Sequence, residues 1–232
     1  MKKIVIRTSL AILVGAVLFL APTALADSTA SMLLTGAGNN GSLDGVDVGP
    51  YTATINGVST SVICDDYDDE SYIGETWTAN VTTLSSLGGT KWVDLGNSTN
   101  LYEEAAWLSI ELLSAGPGQA GDIQFAIWTL FEPNALNGLS AADQTNVWCW
   151  IDSAEAQTFS PGEFANVLIY TANITDPIRC DGNYCANTPP QEFIVTTPEP
   201  SAFILMLIGL LAVAVAVRRK KSAASGLNPR VA

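Results

Sequence analysis

The chain contains no histidine. That absence excludes imidazole acid–base catalysis, Ser-His-Asp nucleophile chemistry and histidine metal sites. Cations are almost as scarce in the middle of the chain. All 23 Asp and Glu fall between Asp27 and Glu199, where Lys91 and Arg179 are the only basic residues, a net charge of −21 for that stretch. Nucleic acid is therefore excluded as a partner, because phosphate binding requires clustered Lys and Arg. No Gly-rich phosphate loop is present, and no repeat of about 20–50 residues recurs, which argues against a solenoid.

The basic residues that do exist sit at the ends. Lys2, Lys3 and Arg7 precede the apolar run Ala11 to Leu20, and Ala24-Leu25-Ala26 supplies small residues for a signal peptidase. Residues 1–26 read as a cleaved secretory signal peptide. At the other end Pro198-Glu199-Pro200 is followed by the uncharged run Ala202 to Val217 and then Arg218-Arg219-Lys220-Lys221. Those 16 apolar positions reach about 24 Å as a helix, short of a hydrocarbon core of ~30 Å, and the basic cluster supports a span with a cytoplasmic tail, 222–232. The constellation Pro-Glu-Pro, short hydrophobic helix (202–217), basic cluster resembles the PEP-CTERM sorting signal of Gram-negative bacteria, here 198–221. The resemblance implies handling by an exosortase after signal peptidase, an inner-membrane intermediate held by the C-terminal helix, and delivery to the cell surface or an exopolysaccharide matrix, as in biofilms.

What remains, residues 27–197, is one acidic extracytoplasmic domain. Tyr51 to Ile55 alternates apolar and polar residues, Asn56-Gly57 follows, and Val58 to Cys64 is β-branched: a hairpin with a type I′ turn. Thr76 to Val81 and Thr90 to Leu95 read as short strands. The period then becomes helical. A first helix is expected from an Asn100 N-cap through Leu112, with Gly116 beyond its end, and a second over Ile123 to Phe131, capped by Asp122 and stopped before Pro133. A third runs from a Ser140 N-cap to about Gln157. Phe164 to Ile174 and Gln191 to Thr197 return to strand. The fold class is α+β, a β-rich body with an inserted segment of about three helices.

Four cysteines in an exported chain first suggest disulfides. Cys180 and Cys185 enclose Asp-Gly-Asn-Tyr, a turn composition, and are expected to bridge. Cys64 and Cys149 either pair or stay apart, with Cys149 then a buried thiol between Trp148 and Trp150.

Ile123-Gln124-Phe125-Ala126-Ile127-Trp128 supports a sharper reading. It resembles the Gln motif of the thioester domains of bacterial surface adhesins: an apolar residue, Gln, two variable positions and two apolar residues. In that family a Cys at the end of an earlier strand attacks the Gln carboxamide and expels ammonia. Cys64 lies 60 positions before Gln124, with a helix between them. The resemblance thus implies an internal thioester of Cys64 and Gln124, able to acylate an amine without ATP. The alternative is an ordinary amide, on the helix surface or buried, satisfied by backbone groups, within a disulfide-stapled matrix module that has no reactive centre.

Asp65, Asp66, Asp68, Asp69 and Glu70 form the densest charge run. It reads first as a solvated acidic loop, and second as a Ca²⁺ site, since hard oxygen ligands suit that cation. Counted from Asp66, however, Ser71 and Trp77 occupy the positions where an EF-hand requires Gly and Glu. A glycosidase pair drawn from Glu103 and Glu104, or from Asp65 and Asp68, has nothing in the sequence to set its spacing. The expected function is therefore non-enzymatic: a surface or matrix protein that adheres to an extracellular surface, polysaccharide or protein, through a thioester or through a binding module, Ca²⁺-assisted or not.

Overall fold

The computed structural model describes residues 28–38, 40–173, 179–181, 184–186 and 188–196, together with 209 and 211. The expected signal peptide and C-terminal helix lie outside them; among the described residues no helix is long and apolar enough to cross a membrane.

The body is a closed six-stranded antiparallel barrel. Its members are β1 (Ser28–Gly36), β4 (Tyr51–Ile55), β5 (Val58–Cys64), β6 (Thr76–Thr83), β7 (Val167–Ala172) and β10 (Phe193–Thr196), in the order β1-β4-β5-β10-β7-β6. Two small ribbons stand apart from it: β2 (Ser42–Leu43) with β3 (Val46–Asp47), and β8 (Arg179–Asp181) with β9 (Tyr184–Ala186). Alternation builds the barrel interior. Ala30, Met32 and Leu34 of β1 and Trp77, Ala79 and Val81 of β6 are buried, while Ser31, Thr76 and Thr78 are exposed. The β4–β5 hairpin turns at Asn56 (φ 49°) and Gly57 (φ 84°), the left-handed pair that a type I′ turn needs.

Between β6 and β7 the chain forms α1 (Ser98–Ser114), α2 (Pro117–Phe131), a 3₁₀ turn (Pro133–Leu136) and α3 (Ala141–Glu155). This layer packs against β5 and β10, so Val62, Ile63 and Cys64 are buried in succession, one face toward the barrel and the other toward the helices. α2 is the central helix and is buried almost all round, as its apolar composition requires.

Several elements differ from expectation. The stretch Thr90 to Leu95 is a series of turns: Thr90 N and Oγ1 both bond the Leu87 carbonyl, and Lys91 N donates to a buried Glu192 carboxylate instead of to a strand. α1 starts at Ser98, with Asn97 rather than Asn100 at its N-cap. α2 starts at Pro117, a favoured first helical residue, rather than after Asp122. Gly121, which weakens a helix, is kept inside it because a Cβ there would lie 2.9 Å from Leu43 Cβ. Strand β7 begins at Val167, after the turns that follow Pro161.

Candidate functional site

One face of α2 organises the site. Gly121, Gln124, Trp128 and Glu132 recur at the spacing of successive helical turns; Gln124 and Glu132 bond the end of β5 and the loop that leaves it, and Gly121 meets Leu43 of β2. Gln124 Nε2 donates a 2.7 Å hydrogen bond to the Cys64 carbonyl, and Gln124 Oε1 accepts from Gly49 N at 3.2 Å. Both residues are fully buried. The two residues singled out for the thioester, 60 positions apart, therefore meet side chain to backbone. Glu132 holds the loop by accepting from the Tyr67 and Asp68 amides.

The surroundings are dry and aromatic. Phe193 stands opposite Cys64 in the β5–β10 register, and the Phe125 and Trp128 rings meet edge to face with centroids 4.9 Å apart. Tyr67 covers both, at 6.0 and 5.3 Å. Cys64 Sγ donates to the Asp66 carbonyl at 3.1 Å. Burial pushes the thiol pKa well up, with Asp66 and Asp65 adding to the effect, so Cys64 is a protonated thiol at neutral pH. The nearby Trp128 indole N–H acts in the opposite sense, favouring the thiolate.

Residues 40–49 lie across the start of α2. Asn40 Nδ2 bonds the Gly49 carbonyl at 3.0 Å, Leu43 sits on Gly121, and Val48 is buried. A cavity of about 140 Å³ opens there, lined by Asn40, Leu43, Val48 and Gly121 with Asp122 and Asp143. Burial, then Asp143, raises the Asp122 pKa.

The acidic run departs from its first reading. Asp65, Asp66 and Asp69 are buried, not solvated. Lys91 Nζ lies 2.5 Å from Asp66 Oδ1 and 2.8 Å from Asp69 Oδ2, and it takes the position a cation would need. Asp68 bonds Asn134, and Glu70 accepts from the Tyr72 hydroxyl. Among the described residues no group of acidic or cysteine side chains is arranged to hold a metal ion. Burial raises Asp66 to about 7 against the pull of Lys91, whereas at Lys91 the two carboxylates outweigh burial and its pKa rises. Both Asp65 carboxylate oxygens are buried without a hydrogen-bond partner, while Glu192 accepts from Tyr102, Thr171 and Lys91 N. Burial, then Glu192, raises the Asp65 pKa well above its ordinary value.

The expected Cys64–Cys149 pairing does not form: both thiols are free, and Cys149 is exposed on α3 rather than buried. Cys180 and Cys185 oppose each other in the β8–β9 register, and their side chains lie outside the described residues. Glu132, Gly49 and Lys91 were not singled out from the sequence. Only Glu132 had a signal there, standing eight residues after Gln124 on the same helical face.

A solved structure described as the N-terminal thioester domain of a surface protein from Clostridium perfringens covers 73% of this chain and 99% of its own, at 13% identity and a TM-score of 0.42. The comparison with curated proteins gave no match. Residues 196–220 match the PEP-CTERM protein-sorting motif, and with it the chain carries the address of an exported, exosortase-sorted protein.

Proposed function

We propose that the domain is the adhesive part of an exosortase-sorted surface protein, and that Cys64 and Gln124 close an internal thioester through which it couples covalently to amines outside the cell. The observation that supports this most is the 2.7 Å hydrogen bond from the buried Gln124 carboxamide to the Cys64 carbonyl, inside an aromatic enclosure. In the first step Sγ bonds to the Gln124 carboxamide carbon, the C–N bond breaks, and ammonia leaves with the thiol proton. In the second an amine attacks the thioester carbon, the C–S bond breaks, and Cys64 regains a proton from the amine. Tyr67, Phe125 and Trp128 keep water from discharging the thioester between the two steps. Asp122 and Asp143 at the neighbouring cavity attract cationic amines. The domain itself offers few competing nucleophiles, since it has no histidine and its sole lysine is held by Asp66 and Asp69.

A second reading rests on a specific observation. Both ends of the Gln124 carboxamide already have backbone partners, Gly49 N and Cys64 O, as an ordinary buried amide would. Labelling separates the two. The full chain, incubated with a fluorescent primary amine, is expected to take the label at residue 124 with release of the Cys64 thiol, and Cys64→Ala is expected to take none. No label on the unaltered chain, or equal label on Cys64→Ala, favours the structural amide.

A further inference from the structure

We propose that the Gly49 backbone N–H is the oxyanion donor of this centre, a role that rests on the thioester reading and adds a residue to it. Addition of a nucleophile to the Gln124 carbonyl carbon pushes an electron pair onto Oε1. In both steps, thiol on amide and amine on thioester, the charge develops on that same atom. Gly49 N already points at it from 3.2 Å, in a buried setting where water does not compete. Such a donor strengthens as the oxygen becomes anionic and costs no reorganisation at that moment. When the tetrahedral adduct collapses, the pair returns to the carbonyl and either ammonia or the Cys64 thiol leaves with its proton.

Three features fix the donor. A Cβ at position 49 would stand 2.7 Å from Oε1, so a side chain there would have to push the carboxamide oxygen away; glycine allows the close approach. Asn40 Nδ2 binds the carbonyl of Gly49 itself at 3.0 Å. Val48 N bonds the Gly41 carbonyl at 3.1 Å, while Leu43 seats the segment on Gly121. Gly49 N–H thus touches the reacting oxygen, and Asn40 is a positioning residue that acts through it. The opposite end of the carboxamide, Nε2, points to the Cys64 carbonyl, so the two hydrogen bonds orient the carbonyl carbon beside the residue whose sulfur would attack it.

The test compares the full chain with Gly49→Ala and Asn40→Ala, following methylamine capture at residue 124 by mass and the carbonyl stretch of the ¹³C-labelled thioester by infrared difference. Capture is expected to slow by about 10²-fold in Gly49→Ala, the usual size for loss of one such donor. Asn40→Ala is expected to slow less and to move the stretch to higher wavenumber, which a purely structural role would not do. If Gly49→Ala fails to fold, Asn40→Ala decides. Folded variants that react at the unaltered rate with an unshifted stretch overturn the inference and leave the thioester intact. An unaltered chain that captures no methylamine overturns the thioester reading and this role with it.

Discussion

Lys91 Nζ lies 2.5 Å from Asp66 Oδ1 and 2.8 Å from Asp69 Oδ2, and Lys91 is the only lysine between the two ends of a chain whose acidic domain has one other cation. Its carboxylate partners are buried just after Cys64, so this one ammonium neutralises the loop that carries the sulfur. It also lies 4.5 Å from the Trp92 ring centroid, a further attraction for a cation.

Lys91→Met is expected to strand both carboxylates and destabilise the domain. Because the lysine side chain is 25% exposed, the loss should be roughly 2 kcal/mol, below the ~3–5 typical of a fully buried pair. Adding Asp66→Asn is expected to restore part of it. Urea melts of the three chains measure this, and a double variant no more stable than Lys91→Met contradicts the pairing.

Stability is expected to fall as the medium becomes more alkaline. Burial raises the folded-state pKa of Asp65, Asp66, Glu132 and Glu192, Asp66 to about 7. In the unfolded chain such groups titrate near pH 4, roughly, so between about 4 and 7 the folded state holds more protons. The stability they contribute is fully present below the unfolded value and is lost as pH rises through the folded one. Melting temperature should therefore be higher at pH 5 than at pH 8, and Asp65→Asn, which removes one of these raised carboxyls, should flatten the slope. A melting temperature that climbs from pH 5 to pH 8 contradicts this assignment of protons.

Ser140 caps α3 by accepting from Asp143 N at 3.2 Å. Ser140→Ala is expected to cost about 1 kcal/mol, read from denaturant midpoints, with Asp143 losing a hydroxyl partner as well. An unchanged midpoint would show that packing alone holds the start of α3.

The local features were legible where one residue type decides a conformation. Asn56-Gly57 announced the hairpin, Ser140 the third helix and Pro133 the end of the second. Strand Ser28–Gly36 was not recognised although its Ala30, Met32 and Leu34 alternate, and barrel closure depends on pairings between β1 and β6 or β5 and β10, which leave no local mark. Thr90 to Leu95 looked extended by composition; the demand of buried Glu192 for the Lys91 amide overrode that preference. The same long-range pairing concealed the acidic run, since a cluster of Asp residues reads as solvated unless the position of the one lysine is known. Cys64 and Gln124 were paired in the sequence through the resemblance of Ile123 to Trp128 to a Gln motif, and the fold brings the Gln124 carboxamide to the Cys64 carbonyl. Gly49 had no such motif, being one of 19 glycines whose distinction is a distance.

The most direct test is the intact mass of the purified full chain, freshly isolated and untreated. A closed Cys64–Gln124 thioester lowers the mass by about 17 Da, the ammonia expelled, and both Cys64→Ala and Gln124→Ala restore the value calculated from sequence. A chain that already has its full calculated mass, with Cys64 freely alkylated after unfolding, contradicts the account.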